Sequence, residues 1–173
     1  MSLSECASPK VLVLGIGNLV MSDDGVGVKV VQKLQREYNF TETVEIMDGG
    51  TLGLDLLPKL EGIERLIVVD AVETGGEPGT CVRLVGEELP IALATKVSPH
   101  QMGLKDLLSV AELMGHSPRE MVLIGVQPGS IEMDTELTEA VEAQVGELVR
   151  MVLDELDTWG VKPDLIKPVS FHL

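Results

Sequence analysis

The chain has 173 residues, with 28 Asp or Glu against 13 Lys or Arg, a formal net charge of −15, and 45% hydrophobic content that includes only four aromatic residues. Length and apolar fraction suit one domain with a sizeable core and exclude a disordered acidic tail. The acidity excludes a phosphate-binding footprint and an anionic membrane surface, and the scarcity of aromatics excludes a base-stacking platform, so neither nucleic acid nor membrane is an expected partner.

In chain order, Met1 to Ser8 are polar and lack the basic, apolar pattern of a signal peptide. Val11 to Ile16 is a continuous apolar run, the pattern of a strand buried on both faces. After a loop to Gly25, Val26, Val30, Val31 and Leu34 fall at helical spacing, and Val44 to Met47 predicts a second strand that turns at Asp48-Gly49-Gly50. A short helix through Leu54, Leu57 and Leu60 precedes another buried strand, Leu66 to Val69, stopping at Asp70. Thr80 to Val85 predicts an edge strand, and residues 86–102 read mostly as loop. Leu104, Leu107, Leu108 and Ala111 mark a helix, and Met121 to Val126 a strand. A last helix has Val141, Val145, Leu148, Val149, Val152 and Leu156 on one face, with Thr138 as its N-cap. The alternation implies a single-domain α/β/α sandwich over residues 1–173, with a mainly parallel twisted sheet and helices on both faces. The core is expected to span about 10–160, with 1–8 and 162–173 as peripheral tails, the latter extended. Cys6 and Cys81 form no CxxC, and no apolar run reaches membrane-span length, which predicts a soluble cytoplasmic protein.

In sheets of this kind ligands bind beyond the carboxyl ends of the strands. The first strand leads to Asn18, Asp23 and Asp24, the second to Asp48, and the third to Asp70. Turn chemistry accounts equally well for Asp23 and Asp48. Asp70 is different, since a carboxylate closing an apolar run is costly without a partner. His100 stands just ahead of the helix at Leu104, where the positive helix end favours a neutral, metal-competent imidazole. Asp24, Asp70 and His100 together would offer two oxygen ligands and one nitrogen with open positions, a set suited to a transition metal bound jointly with a substrate. His116 suits a helix C-cap, and His172 receives no role. Gly15-Ile-Gly17 opens like a dinucleotide fingerprint, but Val20 stands where the third glycine belongs, and two carboxylates follow. HExxH, a P-loop and a GxSxG elbow are all absent.

Val11-Leu-Val-Leu-Gly-Ile-Gly-Asn18, Ser22-Asp-Asp-Gly-Val-Gly27, Asp48-Gly-Gly-Thr51, Leu66-Ile-Val-Val-Asp-Ala71, Ser98-Pro-His-Gln-Met-Gly-Leu104 and Ile124-Gly-Val-Gln-Pro128 occur in that order. Together they resemble the nickel–iron hydrogenase maturation proteases, from the first strand to the final helix. The resemblance implies an endopeptidase that trims a short C-terminal extension from the hydrogenase large-subunit precursor. It further implies that Asp24, Asp70 and His100 bind nickel supplied by that substrate, that other divalent transition metals fit the same site, and that Asp48 takes part in substrate recognition. Many relatives carry Glu where this chain has Asp24, one methylene shorter. No separate nucleophile or general base stands out, so no catalytic residue is assigned beyond the trio, and a monomer is expected. A non-enzymatic nickel-binding assembly factor and, more remotely, a nucleotide-binding module are the competing readings.

Overall fold

Strand β1, Val11–Ile16, is buried at every position, as its uninterrupted apolar run requires. It is the second strand of a five-stranded sheet in a computed structural model that describes residues 10–50, 54–93 and 103–166. Numbering the strands in chain order gives β2, Tyr38–Asn39, β3, Val44–Gly50, β4, Arg65–Ala71, β5, Cys81–Val85, β6, Glu120–Val126, and β7, Asp164–Leu165. The main sheet runs β3-β1-β4-β6-β5, parallel throughout except for β5, which lies antiparallel to β6 at the edge. The helices are α1, Val26–Glu37, α2, Leu57–Leu60, α3, Glu88–Leu93, α4, Leu104–Leu113, α5, Glu139–Glu142, and α6, Val145–Thr158.

Strand alternation sorts the core into two layers. Val11, Val13, Ile67 and Val69 meet α1 and α6 through Val30, Val31, Leu34, Leu148 and Val152. On the other face, Leu12, Leu14, Leu66 and Val68 meet α2, α3 and α4 through Leu60, Leu89, Leu104 and Leu107. The mainly parallel α/β/α sandwich read from the sequence is therefore the observed fold. No helix among the described residues is long and apolar enough to cross a membrane.

Local differences have identifiable causes. The third buried strand does not stop at Asp70: parallel pairing continues with Asp70 opposite Gly125 and Ala71 opposite Val126. The stretch from 86 is not all loop, because α3 occupies Glu88–Leu93 and buries Leu89 and Leu93 against the sheet. The last helix is divided, with α5 ending at Glu142 and α6 starting at Val145. Its apolar periodicity runs through the break, so the pattern does not register it. Part of the extended tail pairs as β7 with β2, antiparallel. His116 does act at a C-terminus, through its backbone: His116 N–H donates to Ala111 O and Gly115 N–H to Glu112 O, with Gly115 at positive φ.

The loop between β1 and α1 is pinned by Asp23, which is fully buried. Its Oδ2 accepts from Gly129 N–H (2.7 Å), Ser130 N–H (3.1 Å) and Thr138 Oγ1 (2.7 Å), and its Oδ1 accepts from Thr138 N–H (2.8 Å). Thr138 occupies the N-cap position of α5, but its hydroxyl serves Asp23 and makes no cap bond. Burial alone would raise the Asp23 carboxyl, yet the hydrogen bonds from Thr138, Gly129 and Ser130 outweigh it and hold the group below its ordinary value. A carboxylate held low in the folded state stabilises above the unfolded value near 4, and that contribution disappears as pH falls through the folded value. Asp23→Ala should cost about 3 kcal/mol at pH 7, because it leaves buried amides without an acceptor. In urea unfolding from pH 7 down to pH 3, the gap between wild type and Asp23→Asn should narrow below about pH 4. A gap that stays constant with pH would show that the carboxylate charge contributes nothing.

Candidate functional site

The carboxyl ends of β3, β1 and β4 form one rim. Gly15 of β1 lies opposite Asp48 on one side and Val69 on the other, so Asp48 and Asp70 flank the exit of β1 at nearly the same level. Their side chains take different environments. Asp70 shares strand parity with Leu66 and Val68, on the face covered by α2, α3 and α4, and is fully buried. Its Oδ1 accepts from Ala71 N–H at 2.8 Å. Asp48 is exposed, and its Oδ1 accepts from Gly50 N–H at 2.7 Å. The β1–β3 register shifts here, Ile16 facing Gly50 after Gly15 faces Asp48, so a bulge rather than a plain turn presents Asp48.

Asp24 is brought to the same rim by close backbone packing. Gly17 has φ of +129°, and a Cβ there would fall 1.7 Å from the carbonyl oxygen of Asp24. A Cβ on Gly27 would fall 2.0 Å from the carbonyl oxygen of Val69, the residue before Asp70. Only glycine permits either approach, and together they seat the 3-10 turn Ser22–Gly25 and the start of α1 against the end of β4. Half-buried Asp24 turns back toward the exit of β1, its Oδ2 accepting from Asn18 N–H at 3.0 Å. That amide is one a phosphate would use in a dinucleotide site, and a carboxylate holds it instead.

Fold and sequence thus unite Asp24, Asp70 and Asp48 at one rim and separate Asp23 from them as a structural group. His100 lies outside the described residues. Among the described residues, no three His, Cys, Asp or Glu side chains converge as a metal-binding group. The helix that follows His100 in sequence, α4, packs on the face toward which Asp70 points.

Two supporting residues carry no motif of their own. Gln127, buried just past β6, accepts through Oε1 from Thr74 N–H (2.6 Å) and Thr74 Oγ1 (2.9 Å) and donates through Nε2 to Glu73 Oε1 (2.9 Å). It fastens the loop leaving β4 to the end of β6. Thr138 does the equivalent for the loop leaving β1. A buried amide closing the apolar run Val122–Val126 was the available signal for Gln127; nothing local marks Thr138 as a partner of Asp23. Cys81, read as a small buried hydrophobe, is half-buried, with burial and Glu147 raising its thiol above the ordinary value.

Residues 28–155 match the family model described as hydrogenase maturation protease. The chain is 40% identical over 154 residues to the hydrogenase 2 maturation protease of Escherichia coli, covering 88% of this chain and 94% of that protein. It is 42% identical over 155 residues to the hydrogenase expression/formation protein HupD of Rhodobacter capsulatus, covering 88% and 74%. Among solved structures, the hydrogenase-maturating endopeptidase HybD of Escherichia coli superposes with a TM-score of 0.85 at 39% identity, covering 90% of this chain and 97% of that one. A rim of carboxylates at the exits of three parallel strands, in a chain this similar over nearly its whole length to proteins of one kind, places it without ambiguity: the chain belongs to the hydrogenase maturation proteases and is a peptidase.

Proposed function

We propose that this peptidase removes the C-terminal extension of the nickel-loaded large-subunit precursor of a NiFe hydrogenase, acting in the cytoplasm as a monomer. The observation that carries the reading is the fully buried Asp70 at the end of β4, with the Asp24 turn packed against the same strand end. Two carboxylates at one strand-end rim offer hard oxygen ligands of the kind a divalent cation accepts, and a substrate-borne nickel ion is such a cation. In this reading Asp24, Asp70 and His100 receive the nickel of the precursor, and Asp48, exposed on its bulge, meets the polypeptide.

Nickel then acts as a recognition element, since a precursor lacking it has no ligand for the trio. A divalent ion so held is also a Lewis acid, the chemistry that metal-assisted peptide hydrolysis draws on. The Gly17 contact holds the Asp24 backbone against the exit of β1, where even the short Asp side chain stands at the rim.

Incubation with nickel-loaded and nickel-free precursor, followed by mass analysis of the C-terminus, tests the proposal. Only the nickel-loaded form should lose its extension; equal cleavage of both would defeat nickel recognition, and binding without cleavage would favour a non-enzymatic assembly factor. His100→Ala and Asp70→Asn should each lower processing by about 100-fold or more, as expected for loss of a metal ligand. The His100 variant should melt with wild type, and normal processing by it would remove His100 from the site. Asp48→Asn should shift stability by less than about 0.5 kcal/mol, as surface changes do, while altering the rate or the preference among precursors. Unchanged kinetics across several precursors would return Asp48 to its backbone role at Gly50.

A further inference from the structure

Three large apolar side chains stand in solvent beside the rim: Val20 is 49% exposed, Ile131 57% and Met133 84%. They come from two segments joined side by side. Met21 pairs with Asp134 in a parallel bridge, Asp134 N–H donates to Val20 O, Ser22 N–H to Asp134 O, and Asp23 N–H to Ser130 O. Ser22 holds a positive φ of 49° in this junction, and its hydroxyl donates to Glu136 O. The buried Asp23 carboxylate locks both segments, so the apolar side chains are displayed on a fixed frame four residues from Asp24 at the nearest.

We propose that Val20, Ile131 and Met133 form a docking surface for an apolar segment of the precursor that is flanked by basic residues. The proposal rests on the precursor reading above and adds a contact that does not involve nickel. Continuity with the rim supports it, because the surface begins in the same loop that carries Asp24. Charge supports the chemistry of the partner: Glu132, Asp134 and Glu136 are exposed and interleave with Ile131 and Met133, on a chain of net charge −15. A second copy fits poorly, since a two-fold contact would set this acidic border against itself. Such a surface would orient the precursor and select it, leaving bond cleavage to the rim.

The test compares full-length wild type with the Ile131→Asp/Met133→Asp double variant on a purified nickel-loaded large-subunit precursor. Both side chains are exposed, so thermal melting should coincide with wild type. The double variant should raise KM by about 10-fold or more with kcat held within about twofold, the signature of lost binding common to ground and transition states. Nickel-free precursor should inhibit wild type competitively and the double variant far less. Glu132→Lys/Glu136→Lys should raise KM and flatten its dependence on salt. A double variant with wild-type KM overturns the docking surface while leaving nickel recognition intact. Failure of wild type to cut the precursor overturns both readings. A wild-type dimer in sedimentation that Met133→Asp dissociates, with KM unchanged, would assign the surface to a second copy and overturn the proposal.

Discussion

A single buried carboxylate governs how the working end of this molecule is assembled. Removing Asp23 from water is unfavourable by several kcal/mol, and the cost is offset only because three backbone amides and one hydroxyl converge on its two oxygens. Those donors come from residues 129, 130 and 138, far along the chain, so the same interaction that neutralises the carboxylate closes the loop after β6 onto the loop after β1. The position also lies at the positive end of α1, where negative charge is favoured. Asp23 and Asp24 are adjacent and chemically identical, yet one is enclosed in tying two loops together and the other stays half-buried at the rim.

The second constraint is the sheet order. The chain passes from β1 to β3 on one side and then returns to place β4 on the other, so the strand order reverses about β1. At such a reversal the connecting loops diverge and leave a crevice at the carboxyl ends. Asp48 and Asp70 occupy the two sides of that crevice, and the glycines at 17 and 27 draw the Asp24 turn into it. The division of the core contributes as well. Asp70 points into the layer built by α2, α3 and α4, whereas the Asp24 turn feeds α1 on the opposite layer. The rim therefore draws on both layers of the fold.

The framework around the rim is held by polar residues that an apolar run conceals. Gln127 and Thr138 each tie a loop leaving one strand to a segment leaving another. Arg83 on the edge strand grips the nearly buried Glu155 of α6 through two hydrogen bonds, fastening the antiparallel end of the sheet to a helix. The Gln127 and Thr138 contacts tie down loops next to the rim, and the Arg83 pair braces the far edge of the sheet.

Much of the architecture was legible in the sequence because burial on both faces leaves a one-dimensional mark. Val11–Ile16 and the run through Val69 must be continuously apolar, and α1 and α6 must repeat at helical spacing, wherever they lie in the fold. The candidate rim residues Asp24, Asp48 and Asp70 could be placed for the same reason, since each follows a recognisable strand. What remained hidden depends on contacts between distant segments. The short α3, the break before Val145 and the two-residue pairing of Tyr38–Asn39 with Asp164–Leu165 have too few residues to impose a period. The bulge at Asp48 and the continuation of β4 through Asp70 are decided by the neighbouring strand. Whether an aspartate serves structure or chemistry is not a property of the residue, because its role is set by which donors the folded chain carries to it. Sequence determined which apolar runs form the buried strands and which carboxylates stand near their carboxyl ends. Tertiary structure alone decided how far those strands extend, that Asp23 is enclosed by hydrogen-bond donors, and that the Asp24 turn packs against the end of the strand carrying Asp70.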